Sequence, residues 1–179
     1  MPSGSVNGFK SWHNGSPLNS SSWANPNTIA CGSSGYVGAV RFSISQSASS
    51  ITISSSVYRR LSSGTMRAEI RTSELSNPTP SAVGSDTTFS APSAGSTASF
   101  TFGGSFTAGT YYVYITSDSA YIDLYASGDM SVSYVAGGGC THMCEMFCEE
   151  CEGSCESGCQ AVCQGCESCE SYCDLTCQN

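Results

Sequence analysis

Cysteine is the residue of this 179-residue chain whose spacing carries the most chemistry. Eleven of the twelve stand at Cys140, Cys144, Cys148, Cys151, Cys155, Cys159, Cys163, Cys166, Cys169, Cys173 and Cys177, every step three or four residues, so that ten steps cover 37 residues. That is the period of an α-helix and exceeds a heptad repeat, and several shifts of 11 superimpose cysteine on cysteine, as in hendecad packing. The spacing predicts a helix with its thiols on one stripe, sulfur standing where leucine would. Every cysteine from Cys144 onward is followed by Glu, Gln or Asp, which puts acid beside the stripe. Residues four apart on a helix have Cβ atoms about 5–6 Å apart, whereas a disulfide wants about 3.5–4.5 Å. The stripe is therefore expected to meet a second one, from a folded-back half of the same segment or, more simply, from a neighbouring chain in a parallel homo-oligomer. Eight acids and no base in residues 140–179 oppose such an assembly. Interchain disulfides, each typically adding about 2–4 kcal/mol, offset that repulsion. The alternative is metal: Cys144-x-x-x-Cys148-x-x-Cys151 and Cys159-x-x-x-Cys163-x-x-Cys166 match a spacing that holds [4Fe–4S] clusters, and the same Cys140–Cys177 stripe would then serve a metal-binding or redox filament subunit. A stripe with steps of four and three generates that spacing by itself, so no cofactor is expected.

Outside that segment the chemistry is sparse. Trp12, Trp23, Tyr112 and Tyr114 are candidate stacking platforms for a sugar, whose C–H faces pack on aromatic rings. Histidine occurs only at His13 and His142, and no G-x-S-x-G elbow marks a nucleophilic serine. Carboxylates at Glu69, Glu74, Asp86, Asp118, Asp123 and Asp129 could form a glycosidase pair, but Glu69 alternates with Arg67 and Arg71, the pattern of an ion-pair ladder on one strand. The chain reads as a binding or structural protein and not as an enzyme.

These residues need positioning, and the sequence indicates by what. Between Tyr36 and Val135 apolar residues recur at every second position: Val40/Phe42/Ile44, Ile51/Ile53, Met66/Ala68/Ile70, Ala98/Phe100/Phe102, Tyr111/Val113/Ile115, Ile122/Leu124 and Met130/Val132/Tyr134. This is the period of half-buried strands, broken by turn signals such as Asn77-Pro78-Thr79-Pro80. The expected fold is mostly β, an antiparallel β-sandwich of jelly-roll or immunoglobulin-like type, followed by the cysteine-striped helix. Residues 1–30, rich in Asn, Ser and Gly without a sustained period, read as an extended arm. Residues 31–136 read as the sandwich, 137–139 as a glycine linker and 140–179 as the oligomerisation tail.

Charge divides along the same boundary. Residues 1–139 carry six bases and six acids, which cancel, so the net −8 belongs entirely to the tail. A chain with one lysine and that charge offers little to a phosphate backbone, which argues against nucleic acid. No apolar run approaches the ~20 residues of a membrane span, and MPSGSVNGFKSWHNGS lacks the apolar core of a secretory signal. Dense disulfides with no signal peptide suggest a protein made in a reducing cytosol and exposed later by lysis.

The runs FTAGTYYVYITS (106–117) and GYVGAVRFSIS (35–45), followed by GGGC and a C-[E/Q]-x-x repeat, resemble tail-fibre or appendage proteins of phages and prophages of gut Firmicutes. The resemblance implies a virion or extracellular fibre, often trimeric, whose jelly-roll module binds cell-surface glycan. It transfers no catalytic or ligand residue to this chain.

Overall fold

The structure, a computed structural model, describes residues 1–18 and 22–137. The expected cysteine helix, with its eleven thiols and their pairing, lies outside the described residues. Residues Met1–Gly137 form one compact unit of β1 (Ser5–His13), β2 (Ser16–Pro17), β3 (Thr28–Gly32), β4 (Tyr36–Ile44), β5 (Ala48–Ser62), β6 (Thr65–Arg71), β7 (Thr87–Ser90), β8 (Thr97–Phe106), β9 (Gly109–Thr116), β10 (Tyr121–Tyr125) and β11 (Ser131–Ala136). Every pairing among them is antiparallel.

The strands follow one nearly closed path, β11-β5-β10-β3-β4-β9-β6-β7, with β8 on the other edge of β5 and β1 on β4. Strand β5 makes the corner: its first part pairs with β8 and β11, its last residues with β10. The alternating residues read from the sequence point to one common interior. Val40, Phe42, Ile51, Ile53, Met66, Ala68, Phe100, Phe102, Val113, Ile115, Ile122, Leu124, Val132 and Tyr134 are all buried there. Phe89 and Phe100 stack within it at 4.6 Å, nearly parallel. At about 1.5–3 kcal/mol per fully buried apolar side chain, this interior supplies the main driving force for the fold.

Residues 1–30 depart from the arm expected of them. Strand β1 pairs with β4 from Ser5↔Ser43 to His13↔Tyr36 and is a full member of the sheet. Its period is hidden because both of its faces are covered. Phe9 enters the main interior, while Trp12, on the opposite face, joins a second cluster with Val37, Ala39, Val83 and Tyr114. A strand buried on both sides loses the alternation that marks a half-buried one. The cover on the second face comes from Trp23 and Leu75, on the segments after β2 and β6.

Gly32 brings β3 against the start of β10. Its φ is +134°, and a Cβ there would collide with the Ala120 carbonyl oxygen, so only glycine permits the approach.

Candidate functional site

Strand β10 reads Tyr121-Ile122-Asp123-Leu124-Tyr125. Ile122 and Leu124 face the interior, so Tyr121, Asp123 and Tyr125 line the opposite, outer face. The partner strand is irregular. Tyr121 pairs with Ser62, Ile122 with Arg60, Asp123 with Arg59 and Leu124 with Val57, which leaves Leu61 and Tyr58 as extra residues in β5. Such bulges re-aim side chains and are frequent beside binding sites. Here they set Arg59 opposite Asp123 and send Tyr58 outward as well, against Tyr125 at 5.3 Å between ring centroids.

Around this strand lies an open cleft of about 340 Å³ lined by Ser11, Leu18, Thr28, Ala30, Tyr36, Arg59, Tyr121 and Asp123. Asp123 is 5% exposed and fully engaged. Its Oδ2 accepts from Arg59 Nε at 2.7 Å and lies 2.6 Å from Nη2, while Oδ1 accepts from the Tyr121 hydroxyl at 2.9 Å. Burial first, and then the hydrogen bond to Asp123 and its charge, hold the Tyr121 phenol above its ordinary value. The hydrogen bond to Asp123 and its charge likewise raise Arg59, so the guanidinium remains a permanent donor at the rim. Tyr36 meets Tyr121 edge-on at 5.0 Å and also packs with His13 at 4.7 Å. Beneath the floor sits Cys31, fully buried; burial, with a smaller contribution from Asp123, pushes its thiol up, away from nucleophilic use.

The cleft thus offers the half-buried Tyr36 ring, the edge of Tyr121, which is 9% exposed, the Thr28 hydroxyl, a fixed donor and a neutralised carboxylate. The other carboxylates of the body are also held. Glu69 accepts from Arg71 at 2.8 Å and from the Gly84 N–H at 2.9 Å. Asp118 pairs with Arg67 at 2.8 Å, and Asp86 accepts from the Ile70 N–H at 3.0 Å. Among the described residues no group of three or more His, Cys, Asp or Glu is placed to hold a metal ion.

Of the stacking platforms read from the sequence, Trp12 and Tyr114 are corrected by burial. Trp12 is 2% exposed and Tyr114 fully covered. Tyr114 accepts a 2.7 Å hydrogen bond from the Leu75 N–H, and burial raises its phenol to about 12. Neither ring can meet a sugar. Trp23 and Tyr112 are half-buried and pack on each other at 5.6 Å. Trp23 also donates from Nε1 to Glu74 at 3.0 Å and lies under the Lys10 ammonium and the Arg41 guanidinium at 4.9 and 5.4 Å. Lys10 in turn pairs with Glu74 at 2.6 Å, so this group works as a latch holding the covering segments down. The residues that line the cleft instead, Tyr36, Arg59, Tyr121 and Asp123, carried one legible signal, the alternation of Tyr121 and Asp123 with Ile122 and Leu124.

Comparison with protein-family models, curated proteins and solved structures returns no match. The geometry of the cleft and the pattern of the sequence therefore carry the functional reading.

Proposed function

We propose that the chain is the structural subunit of a virion or extracellular fibre whose body, a jelly-roll-like sandwich, binds cell-surface glycan in the Tyr36–Tyr121 cleft, and whose cysteine-rich residues 140–179 join copies into a disulfide-linked homo-oligomer. The observation that carries the glycan reading is the combination at one open cleft of the half-buried Tyr36 ring, backed edge-on by the more deeply set Tyr121, with an Arg–Asp pair and side-chain hydroxyls. Sugars present C–H faces for the rings and hydroxyl groups that both donate and accept, and a rigid neutral surface meets them at small ordering cost. The covalent half of the reading rests on the eleven cysteines at helical spacing, and the resemblance to phage fibres agrees with both halves.

The test is a glycan array carrying bacterial wall and capsular polysaccharides, run with the intact chain and with Tyr121→Ala. Retention by the intact chain and loss in the variant are expected. Failure of the intact chain across the array overturns glycan binding. On non-reducing gels the chain should run as an oligomer that collapses to 18.6 kDa with reductant; a monomer in both lanes overturns the covalent assembly.

A further inference from the structure

Folding leaves three large side chains of the β5–β10 ridge in solvent: Tyr58 at 54%, Leu61 at 63% and Tyr125 at 39% exposure. Two of them are the extra residues of the β5 bulges, so the strand departs from regular pairing where it presents them. Tyr58 and Tyr125 form an edge-on pair at 5.3 Å, like Tyr36 and Tyr121 at 5.0 Å. Both pairs lie on the outer face of β10, one at each end. Tyr121 and Tyr125 are four residues apart, about 13 Å at the rise of a strand, with the Arg59–Asp123 ion pair midway between them.

We propose that this ridge extends the cleft into a groove for a linear, uncharged polysaccharide, held at several consecutive sugar residues and not at a single terminal one. The inference rests on the glycan reading above and specifies its ligand. A separation of about 13 Å exceeds the span of one pyranose ring, so the two tyrosine pairs engage different residues of the same chain. Within the cleft the charges are Arg59 and Asp123, which cancel, and Arg60, the next residue of β5, is directed to the Ala91 carbonyl at 3.2 Å. In the cleft an anionic chain would meet a guanidinium already paired with Asp123, whereas a neutral chain finds the Tyr36 ring at one end, the Tyr58 and Tyr125 rings at the other and hydrogen-bonding groups between them.

The polysaccharide retained on the array, cut by partial hydrolysis and fractionated from monosaccharide to hexasaccharide, is titrated calorimetrically into the full chain at low and high salt. Affinity should rise by about tenfold or more between the monosaccharide and the tetrasaccharide, one added aromatic contact accounting for roughly that factor, and should not change with salt. Tyr125→Ala and Tyr58→Ala should abolish the rise and leave the short ligands bound as before. Both side chains are exposed, so the variants keep the fold, which unfolding curves verify. A monosaccharide bound as tightly as a hexasaccharide, or binding weakened by salt, overturns the extended neutral groove while leaving glycan binding intact. Absence of binding at every length overturns the glycan reading itself.

Discussion

Replacing Trp12 separates the two roles open to a tryptophan in this chain, ligand platform and core. Trp12 is 2% exposed and packs between Tyr114 at 6.0 Å and Trp23 at 6.4 Å, over Val37, Ala39 and Val83. Truncation to alanine removes the largest buried side chain of the second cluster, and its neighbours Val37, Ala39 and Tyr114 sit on paired strands that cannot close the gap, so the cost is about 4 kcal/mol, within the range for buried aromatic truncations. A body of 137 residues is stable by roughly 7–20 kcal/mol, so the variant folds but is weakened by a substantial fraction. For a domain of this size the midpoint falls by about 10–20 °C. The milder Trp12→Phe should cost about 1–2 kcal/mol. Thermal and urea unfolding of the intact chain, followed by near-ultraviolet circular dichroism, measures both; the urea midpoint should move without a change in slope. Glycan retention, assayed below either transition, should equal that of the unaltered chain. A cost under about 1 kcal/mol for the alanine variant, or lost retention without destabilisation, would refute the placement of Trp12 in the core.

Tyr114→Phe keeps the ring and strands the Leu75 N–H, so it should cost about 1–2 kcal/mol in the same unfolding assay; an unchanged midpoint would mean that water replaces the phenol. Acid should destabilise the body from about pH 4 downward. Asp129 is held below its ordinary value chiefly by the Ser56 N–H, with side-chain hydrogen bonds from Ser56 and Ser55 outweighing its burial. Glu74 is held low although burial opposes it, because Lys10 and Trp23 bond to it. A carboxylate depressed in the folded state stabilises above its unfolded value and ceases to do so as pH falls through the folded one. Asp129→Asn should flatten the acid limb of a stability–pH curve, and an identical limb would sink this assignment.

The main interior was readable because every strand that lines it turns alternate apolar residues inward, and the alternations at Val40/Phe42/Ile44 and Val132/Tyr134 map directly onto it. Two physical effects hid the rest. Burial on both faces erased the period of β1 and made Trp12 and Tyr114 look available, since a tyrosine on a strand's other face is ordinarily wet. The bulges in β5 broke the count that would have set Arg59 opposite Asp123, a pairing fixed by a strand 64 residues away in sequence.

Charge is unevenly placed on the body, and that bears on where recognition can reside. The first half of β5 and all of β8 and β11 contain no charged residue. Their outer face is hydroxyl, with Thr52 bonded to Thr101 at 2.8 Å and Ser54 to Ser99 at 3.0 Å. The charges of the body lie elsewhere, and most of its carboxylates hold structure: Glu74 and Asp129 fasten covering segments and turns, Glu69 and Asp86 tie the strand β6 to its neighbouring loops, and the exposed Asp118 pairs with Arg67. Asp123 lines the cleft, and it arrives neutralised by Arg59. A surface so arranged has little long-range field with which to steer a charged partner, and selectivity falls to short-range shape and hydrogen bonding. The glycan proposed for the ridge from Tyr36 to Tyr58 would accordingly be recognised by rings and hydroxyls, and a neutral one supplies the complement of both.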